Sequence, residues 1–123
     1  MRIDGPALLA RVYIGEADRH DGHPLYQVIV RFLRDRGIAG VTVFRGIEGY
    51  GANAHLHTSR LLRLSEDLPI LIEIVDREDR LREVLPELDA MIVDGLVTLE
   101  RVEVVAYRAA ARQHDVNEPP TPG

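Results

Sequence analysis

The 123-residue sequence predicts an α+β fold in which four antiparallel strands and two helices follow one another as β-α-β-β-α-β. Apolar and polar residues alternate with a period of two near both ends of the chain. Two other segments repeat their apolar residues every three or four positions, and turn-forming glycines separate the segments. A chain of this length with 46% hydrophobic residues is expected to form one domain.

The first half of the chain contains a strand, a helix and a second strand. Residues 8–16 alternate, with Ala10, Val12 and Ile14 on one side of the predicted strand. A helix begins at Pro24, which suits a first helical turn, and ends near Gly37. Its apolar residues form one stripe: Leu25, Val28, Ile29, Phe32 and Leu33. The β-rich residues 41–47 form the second strand.

The second half adds a strand, a helix and a final strand. Residues 68–76 form the third strand, with its isoleucines on one face. A helix follows over residues 77–93, where Asp76 is expected to be the N-cap and Pro86 to cause a kink or a break. After the Asp94-Gly95 turn, a fourth strand is predicted from the alternation of Val102, Val104 and Ala106 with Glu103, Val105 and Tyr107.

This element order is most often a ferredoxin-like sandwich, an antiparallel four-stranded sheet with two helices on one face. The loop after strand one, the long loop between strands two and three, and the loop before strand four then lie at one end of the sheet, where a ligand site is expected. The other sheet face is expected to be apolar and to bury against other subunits. We assign to it Leu9, Tyr13, Phe44, Leu71, Val75, Val105 and Tyr107, with Arg11, Glu73, Arg101 and Glu103 pairing across strands.

Composition excludes several classes of function. Twenty acidic and fifteen basic residues give a formal charge of -5, which together with the lack of an RNA-recognition motif argues against nucleic-acid binding. Every cation is arginine, so chemistry that needs lysine is excluded, and the absence of cysteine removes thiolate nucleophiles and Cys-based zinc sites. No segment resembles a signal peptide or a membrane span. We expect a cytoplasmic protein with one domain over residues 1–111 and a disordered tail over residues 112–123.

The connection over residues 49–67 is about nineteen residues long, whereas hairpin loops normally have two to five. Loops of this length in a compact domain are usually functional or disordered. Gly49-Tyr50-Gly51 lets the backbone approach a ligand closely, and Arg45, Arg60 and Arg63 can grip a phosphate or a carboxylate. A flexible turn with solvated arginines is the alternative interpretation.

Histidines in two loops form a second candidate site. His55 and His57 lie in the long connection, and His20 and His23 lie in the loop after strand one, near Asp18 and Asp21. Imidazole and carboxylate ligands suit zinc, nickel or copper. Solvated surface histidines are the more common interpretation of such loops. Thr58, Ser59 and Ser65 lie near these histidines without a nucleophile-elbow motif, so we expect no enzyme.

Several segments resemble a known family. GIAGVTV at residues 37–43 and GYG at 49–51 are similar to the second strand and the start of the T-loop of PII signal-transduction proteins. RVYIGEAD, GIAGVTVFRGIEGYG, RLSEDLPILIEIVD and LERVEVVAY more closely resemble the bacterial family called domain of unknown function 190, which is grouped with the PII-like proteins. The resemblance covers residues 8–108 in order.

The resemblance implies a trimer around the open sheet faces, with adenine nucleotides in clefts between subunits and a T-loop that contacts client enzymes, membrane transporters or channels. The phosphate loop of PII is reduced here to Asp94-Gly95, where Arg101 and Arg108 would replace its lysine. Glu16 would orient a ribose hydroxyl or a bound cation. The expected ligand-binding residues are Glu16, Arg45, Gly49, Tyr50, Gly51, Arg60, Arg63 and Arg101.

The sequence therefore predicts a PII-like trimeric signalling protein that binds a small anionic effector, an adenine nucleotide first among them, and contacts a client through residues 49–67. Two alternatives stay open. One is a metal-tolerance protein similar to the CutA family, with His20, His23, His55 and His57 as ligands. The other is an interaction module without a small ligand.

Overall fold

The computed structural model describes residues 4–52, 56–58 and 67–110, and it has the predicted α+β architecture. Four long strands form one antiparallel sheet, in the spatial order Gly40–Arg45, Pro69–Asp76, Gly5–Gly15 and Leu96–Val104. The short strands form two separate two-stranded ladders. The elements are β1 (Gly5–Gly15), β2 (Arg19–His20), β3 (His23–Pro24), α1 (Leu25–Asp35), β4 (Gly40–Arg45), β5 (Glu48–Gly49), β6 (His57–Thr58), β7 (Pro69–Asp76), α2 (Glu78–Met91) and β8 (Leu96–Val104).

The core lies between the two helices and one face of the sheet. Alternate residues of the central strands point into it because successive side chains of a strand face opposite ways. Ala10, Val12 and Ile14 of β1 are buried, as the alternation predicts. The rest of the core comes from β7 (Ile70, Ile72, Ile74), α1 (Leu25, Ile29, Leu33) and α2 (Leu81, Val84, Leu88). No helix within the described ranges is long and apolar enough to cross a membrane.

Helix α2 differs from its prediction in two ways. Arg77, not Asp76, occupies the N-cap position, and no side chain caps the helix there. Pro86 lies inside a continuous helix and does not break it. Proline removes one backbone hydrogen bond, but Pro86 is on the exposed side, and the buried Val84 and Leu88 on either side of it hold the helix against the sheet.

Strand β8 begins six residues before the predicted alternation, at Leu96, and ends at Val104. Leu9 pairs with Glu100 and Leu8 with Arg101, so the even-numbered residues of β8 share the open face. The prediction that Arg101 and Glu103 lie on that face is therefore wrong. A one-residue change of register moves every side chain to the other face. The apolar residues of β8 did not indicate which of its faces points to the helices, because this edge strand buries neither face completely.

The open face has the predicted apolar residues of the three other strands. Leu71 pairs with both Tyr13 and Phe44, and Leu9 pairs with Val75, so the five side chains share one side of the sheet. Tyr13 and Phe44 are 39% and 47% exposed. The predicted Val105 and Tyr107 lie beyond β8, and the Tyr107 hydroxyl donates a hydrogen bond to the Ala39 carbonyl over 2.6 Å.

A charged cluster lies in the middle of this apolar face. Arg11 donates a hydrogen bond from Nε to Glu73 over 3.2 Å and one from Nη1 to Glu100 over 2.9 Å. The hydrogen bond to Glu100, followed by that to Glu73, raises the pKa of Arg11 above its usual value. Arg11 and Glu73, two of the four charged residues predicted to pair across strands, are paired, and the second carboxylate bound to Arg11 is that of Glu100.

Glu78, in the first turn of α2, links the helix to β8. It accepts a hydrogen bond from Arg82 over 2.7 Å and another from Arg101 over 3.0 Å. These bonds, that from Arg82 foremost, lower the pKa of Glu78 below its ordinary value. A carboxyl with a depressed folded-state pKa stabilises the fold above its unfolded pKa of about 4.3, and this contribution disappears as the pH falls through the folded value.

We therefore expect Glu78→Gln to lower the melting temperature slightly at pH 7, with the difference from wild type closing as the pH is lowered below about 4. Thermal unfolding followed by circular dichroism from pH 7 to pH 3 measures this difference. Glu83→Gln, in the same helix, is the control because Glu83 makes no ion pair within the part of the chain that the structure describes. A difference that stays constant down to pH 3 contradicts the prediction.

Candidate functional site

Three connections meet at one end of the sheet, as the topology predicts. Strands β1 and β4 end there and β7 begins there, because Gly15 pairs with Pro69 and Arg45 with Ile70. The connection before β8 reaches the same end, where Leu96 pairs with Tyr13. Gly95 is required at this point, since a Cβ added to it would lie 2.6 Å from the Tyr13 carbonyl oxygen.

The turn after β1 holds the end of the long connection. Glu16 donates its backbone N–H to the Leu68 carbonyl over 2.8 Å, and Ala17 donates its N–H to Asp67 Oδ1 over 2.8 Å. Asp18 closes the turn by accepting the Gly15 N–H over 2.9 Å. A Cβ on Gly15 would lie 2.7 Å from Asp67 Oδ1, so only glycine leaves room for this carboxylate.

The start of the long connection is held by an ion pair. Arg45 Nη2 contacts Glu16 Oε2, and the Gly46 N–H donates to the Pro69 carbonyl over 2.7 Å. The Glu16 side chain is 22% exposed and that of Arg45 is 58% exposed. Residue 16 thus contacts both ends of the connection, with its side chain at the start and its backbone at the end.

Residues 46–51, which include three glycines, follow this ion pair in the chain. Gly46 and Gly49 lie against the Pro69 ring, where a Cβ on either would come within 3.2 Å of a ring carbon. Gly49 pairs with His57 in the β5–β6 ladder. Tyr50 is 73% exposed, and Gly51 is exposed. The structure therefore brings Glu16, Arg45 and Gly49 to one end of the sheet.

Two other predicted ligand residues, Arg60 and Arg63, fall outside the described residues. Arg101 pairs in register with Leu8, in the first half of β1, and its guanidinium contacts Glu78. It therefore lies on the helix side of β8, away from the end where the loops meet.

The histidines do not assemble a metal site in the described part of the chain. His20 and His23 face each other in the β2–β3 hairpin, whose turn residues Asp21 and Gly22 have φ angles of 50° and 82°. His20 Nε2 is 3.7 Å from Asp21 Oδ2. His57 lies in β6, and His55 falls outside the described residues. No group of three or more His, Cys, Asp or Glu residues within the described ranges has the geometry to hold a metal ion.

The sequence reasoning missed Asp67 as an anchor of the connection and placed Asp18 only among metal ligands. Both carboxylates accept backbone N–H groups at the turn after β1. Asp18 lies three residues after its donor, Gly15, and Asp side chains commonly bond to backbone groups at this spacing. Asp67 had no such signal because its donor, Ala17, is fifty residues away in the sequence.

A groove of about 520 Å³ lies elsewhere, between α2 and β8. Leu85, Pro86, Leu88 and Val97 form its apolar lining, and Arg82 and Asp89 border it. It contains none of the predicted ligand residues. The groove is therefore separate from the candidate site at the end of the sheet, and its volume does not describe that site.

Two solved structures of PII-like proteins have the same fold as this chain. A putative PII-like signaling protein from Thermus thermophilus superposes with a TM-score of 0.60 at 18% identity, covering 84% of this chain and 94% of that one. CPII from Thiomonas intermedia K12, a nitrogen regulatory PII-like protein bound to ADP, AMP and bicarbonate, gives a TM-score of 0.57 at 19% identity, covering 82% and 90%. At these identities the similarity establishes the fold.

Sequence comparisons establish the family. A UPF0166 protein of Aquifex aeolicus is 36% identical over 105 residues, covering 85% of this chain and 98% of its own length. A UPF0166 protein of Methanocaldococcus jannaschii is 37% identical over 94 residues, covering 76% and 86%. The model of the family DUF190, described as "Uncharacterized ACR, COG1993", matches residues 7–104. The chain therefore belongs to the domain of unknown function 190 family, with a PII-like fold.

Proposed function

We propose that the protein is a regulatory protein of the PII-like kind that binds a small anionic effector, an adenine nucleotide, in clefts between the subunits of a trimer. The bound effector changes how residues 49–67 present themselves to a client protein, and no catalytic step is involved. The proposal rests on one observation above all: Glu16, Arg45 and the glycines of the long connection meet at one end of the sheet.

The chemistry of this end suits an anion with phosphate groups. The Arg45 guanidinium uses one nitrogen, Nη2, to contact Glu16 and is more than half exposed, which leaves donors for a phosphate. Glycine backbones such as those at Gly49 and Gly51 let N–H groups approach phosphate oxygens closely. CPII, which shares the fold, has been solved with ADP and AMP, and this favours an adenine nucleotide as the effector.

The open sheet face supports the oligomeric part of the proposal. Tyr13, Phe44 and Leu96 are exposed on that face in a single chain. Contiguous apolar surface of this kind usually marks a protein interface. Assembly around it would place the end with Glu16 and Arg45 next to a neighbouring subunit, so each site would be built from two chains.

Isothermal titration calorimetry with AMP and ADP tests the proposal. Wild-type protein is expected to bind at least one of them, and Arg45→Met is expected to weaken binding about tenfold or more, the equivalent of about 1.4 kcal/mol. Arg31→Met is the matched control because Arg31 is an exposed arginine on α1, remote from the site. The control should bind as wild type does.

Two results would contradict the proposal. Absence of heat and of any thermal stabilisation with AMP, ADP and ATP would exclude a nucleotide effector. Equal affinities for wild type and Arg45→Met would move the site away from this end of the sheet. Recovery of intact nucleotide after prolonged incubation is expected, since the proposed role has no chemical step.

A further inference from the structure

We propose that Glu16 is an internal competitor of the effector: its carboxylate occupies Arg45 in the effector-free protein, and the effector's anionic group displaces it. This inference rests on the proposed function and names how the same site is regulated. It is carried by the Glu16–Arg45 contact and by the hydrogen bonds that surround it.

The two side chains meet across a strand. Arg45 ends β4 and Glu16 follows β1, while β7 lies between these two strands in the sheet. The contact therefore joins the end of β4 to the end of β1, and it passes over the beginning of β7, which lies between them. Glu16 is the covered partner at 22% exposure, and Arg45 is the accessible one at 58%. An anion that arrives from solvent reaches the guanidinium before it reaches the carboxylate.

Displacement is favoured over simple addition because this end of the sheet is rich in carboxylates. Asp18 and Asp67 accept the backbone N–H groups of Gly15 and Ala17, the residues on either side of Glu16. An anion added near three carboxylates would meet like-charge repulsion, and two unit charges about 4 Å apart interact by about 1 kcal/mol even in water. Moving one carboxylate out to solvent removes the nearest part of that repulsion.

Of the three carboxylates, that of Glu16 is the one that can leave without breaking a hydrogen bond to the backbone. Asp18 and Asp67 each accept a backbone N–H, from Gly15 and Ala17, and their departure would open the turn. The Glu16 carboxylate is bound to a side chain, Arg45, and a glutamate has enough rotatable bonds to swing into solvent without moving its backbone. Its backbone N–H can stay on the Leu68 carbonyl while the carboxylate leaves.

Release of the carboxylate would change one end of the connection and not the other. The end at Leu68 stays attached to the turn through the Glu16 N–H. The start, at Arg45, loses its tie to β1 and stays attached to β7 through the pairing of Arg45 with Ile70 and the Gly46 N–H bond to the Pro69 carbonyl. The effector would thus select a state in which the end of β4 is no longer tied to β1, by contacts with Arg45 that the paired state lacks.

Glu16→Gln tests this inference because it removes the charge and keeps the shape. We expect Glu16→Gln to bind AMP about tenfold more tightly than wild type in titration calorimetry, an effect of about 1.4 kcal/mol. Glu87→Gln is the matched control, since Glu87 also pairs with an arginine, Arg36, but on the helical side of the molecule. The control should match wild type within about twofold, which is the range expected for distant sites.

Amide hydrogen exchange gives a second test, and its first comparison is made without nucleotide. Amide hydrogen exchange at Gly46 should be faster in effector-free Glu16→Gln than in wild type, and AMP should speed it in wild type towards the value of the variant. Combining Glu16→Gln with Arg45→Met should give no tighter binding than Arg45→Met by itself, because the gain requires Arg45.

The outcomes separate the two proposals. Weaker or equal AMP binding by Glu16→Gln, with wild-type binding intact, would overturn the competitor role and leave the proposed function standing, because Glu16 would then orient Arg45 or touch the ligand. If neither protein binds AMP, ADP or ATP, the proposed function fails. In that case amide exchange at Gly46 still tests whether the Glu16–Arg45 contact restrains the end of β4. Equal exchange rates in wild type and Glu16→Gln would overturn that role.

Discussion

Replacement of Asp76 by alanine is expected to destabilise the fold by about 3 kcal/mol, because it removes the acceptor at the centre of a buried network. Asp76 is fully buried. Its Oδ1 accepts the Arg77 N–H over 2.7 Å, and its Oδ2 accepts the Ala39 N–H over 3.0 Å and Arg80 Nε over 3.2 Å. Alanine would leave these donors without their acceptor around a side chain that is itself fully buried.

The network joins three parts of the fold, which is why its loss should be costly. Arg80 donates from Nη2 to the carbonyls of Arg36 and Gly37 over 3.0 and 2.8 Å. Asp76 therefore fixes the end of β7, the start of α2 and the turn between α1 and β4 together. A cost of about 3 kcal/mol is a large part of the total stability of a domain of this size.

Urea unfolding at a fixed protein concentration measures the effect. Asp76→Ala should lower the midpoint by about 1–2 M at the slopes typical of small domains. Asp79→Ala is the control, because Asp79 lies three residues later, is exposed and pairs with Arg77 at the surface, and it should change stability by less than about 0.5 kcal/mol. A midpoint for Asp76→Ala close to that of the control would contradict the role assigned to the network.

The sequence predicted Asp76 as a helix cap because its position before a charged helical segment is the local signature of one. The actual partners include Ala39, which is thirty-seven residues away and follows a different helix. Local patterns carry no information on such a contact. Asp67, which binds Ala17 across fifty residues, escaped prediction for the same reason.

The elements that were predicted correctly are those that bury one face and leave the other face more exposed. Ile70, Ile72 and Ile74 mark the inner face of β7 without ambiguity, and Leu25, Ile29 and Leu33 mark one stripe of α1. Strand β8 was misplaced because it lies at an edge and exposes residues on both faces. The meeting of Glu16 and Arg45 followed from topology, since strand ends converge wherever their connections do. The contact between these two side chains did not follow, because it depends on rotamers that the sequence leaves open.

The second large effect concerns assembly, which the proposed function requires. Phe44→Glu is expected to convert the assembled protein to monomers, because a charge placed in an apolar interface loses its hydration without gaining a partner. Phe44 is 47% exposed on the open face, beside Leu71 of the neighbouring strand. Size-exclusion chromatography with light scattering measures the change, from the mass of three chains to that of one.

The neighbouring residue provides the control. Val43 is 36% exposed in the same strand, but it pairs with the buried Ile72 and so belongs to the helix side of the sheet. Val43→Glu should remain assembled, because successive residues of a strand face opposite ways and only one of the two faces is proposed to be covered. Leu96→Glu, on the open face at the opposite edge of the sheet, should dissociate the protein as Phe44→Glu does. A monomeric wild type would contradict the proposed assembly. Assembly that survives both open-face substitutions would show that another surface joins the subunits and that a site between them must be sought there.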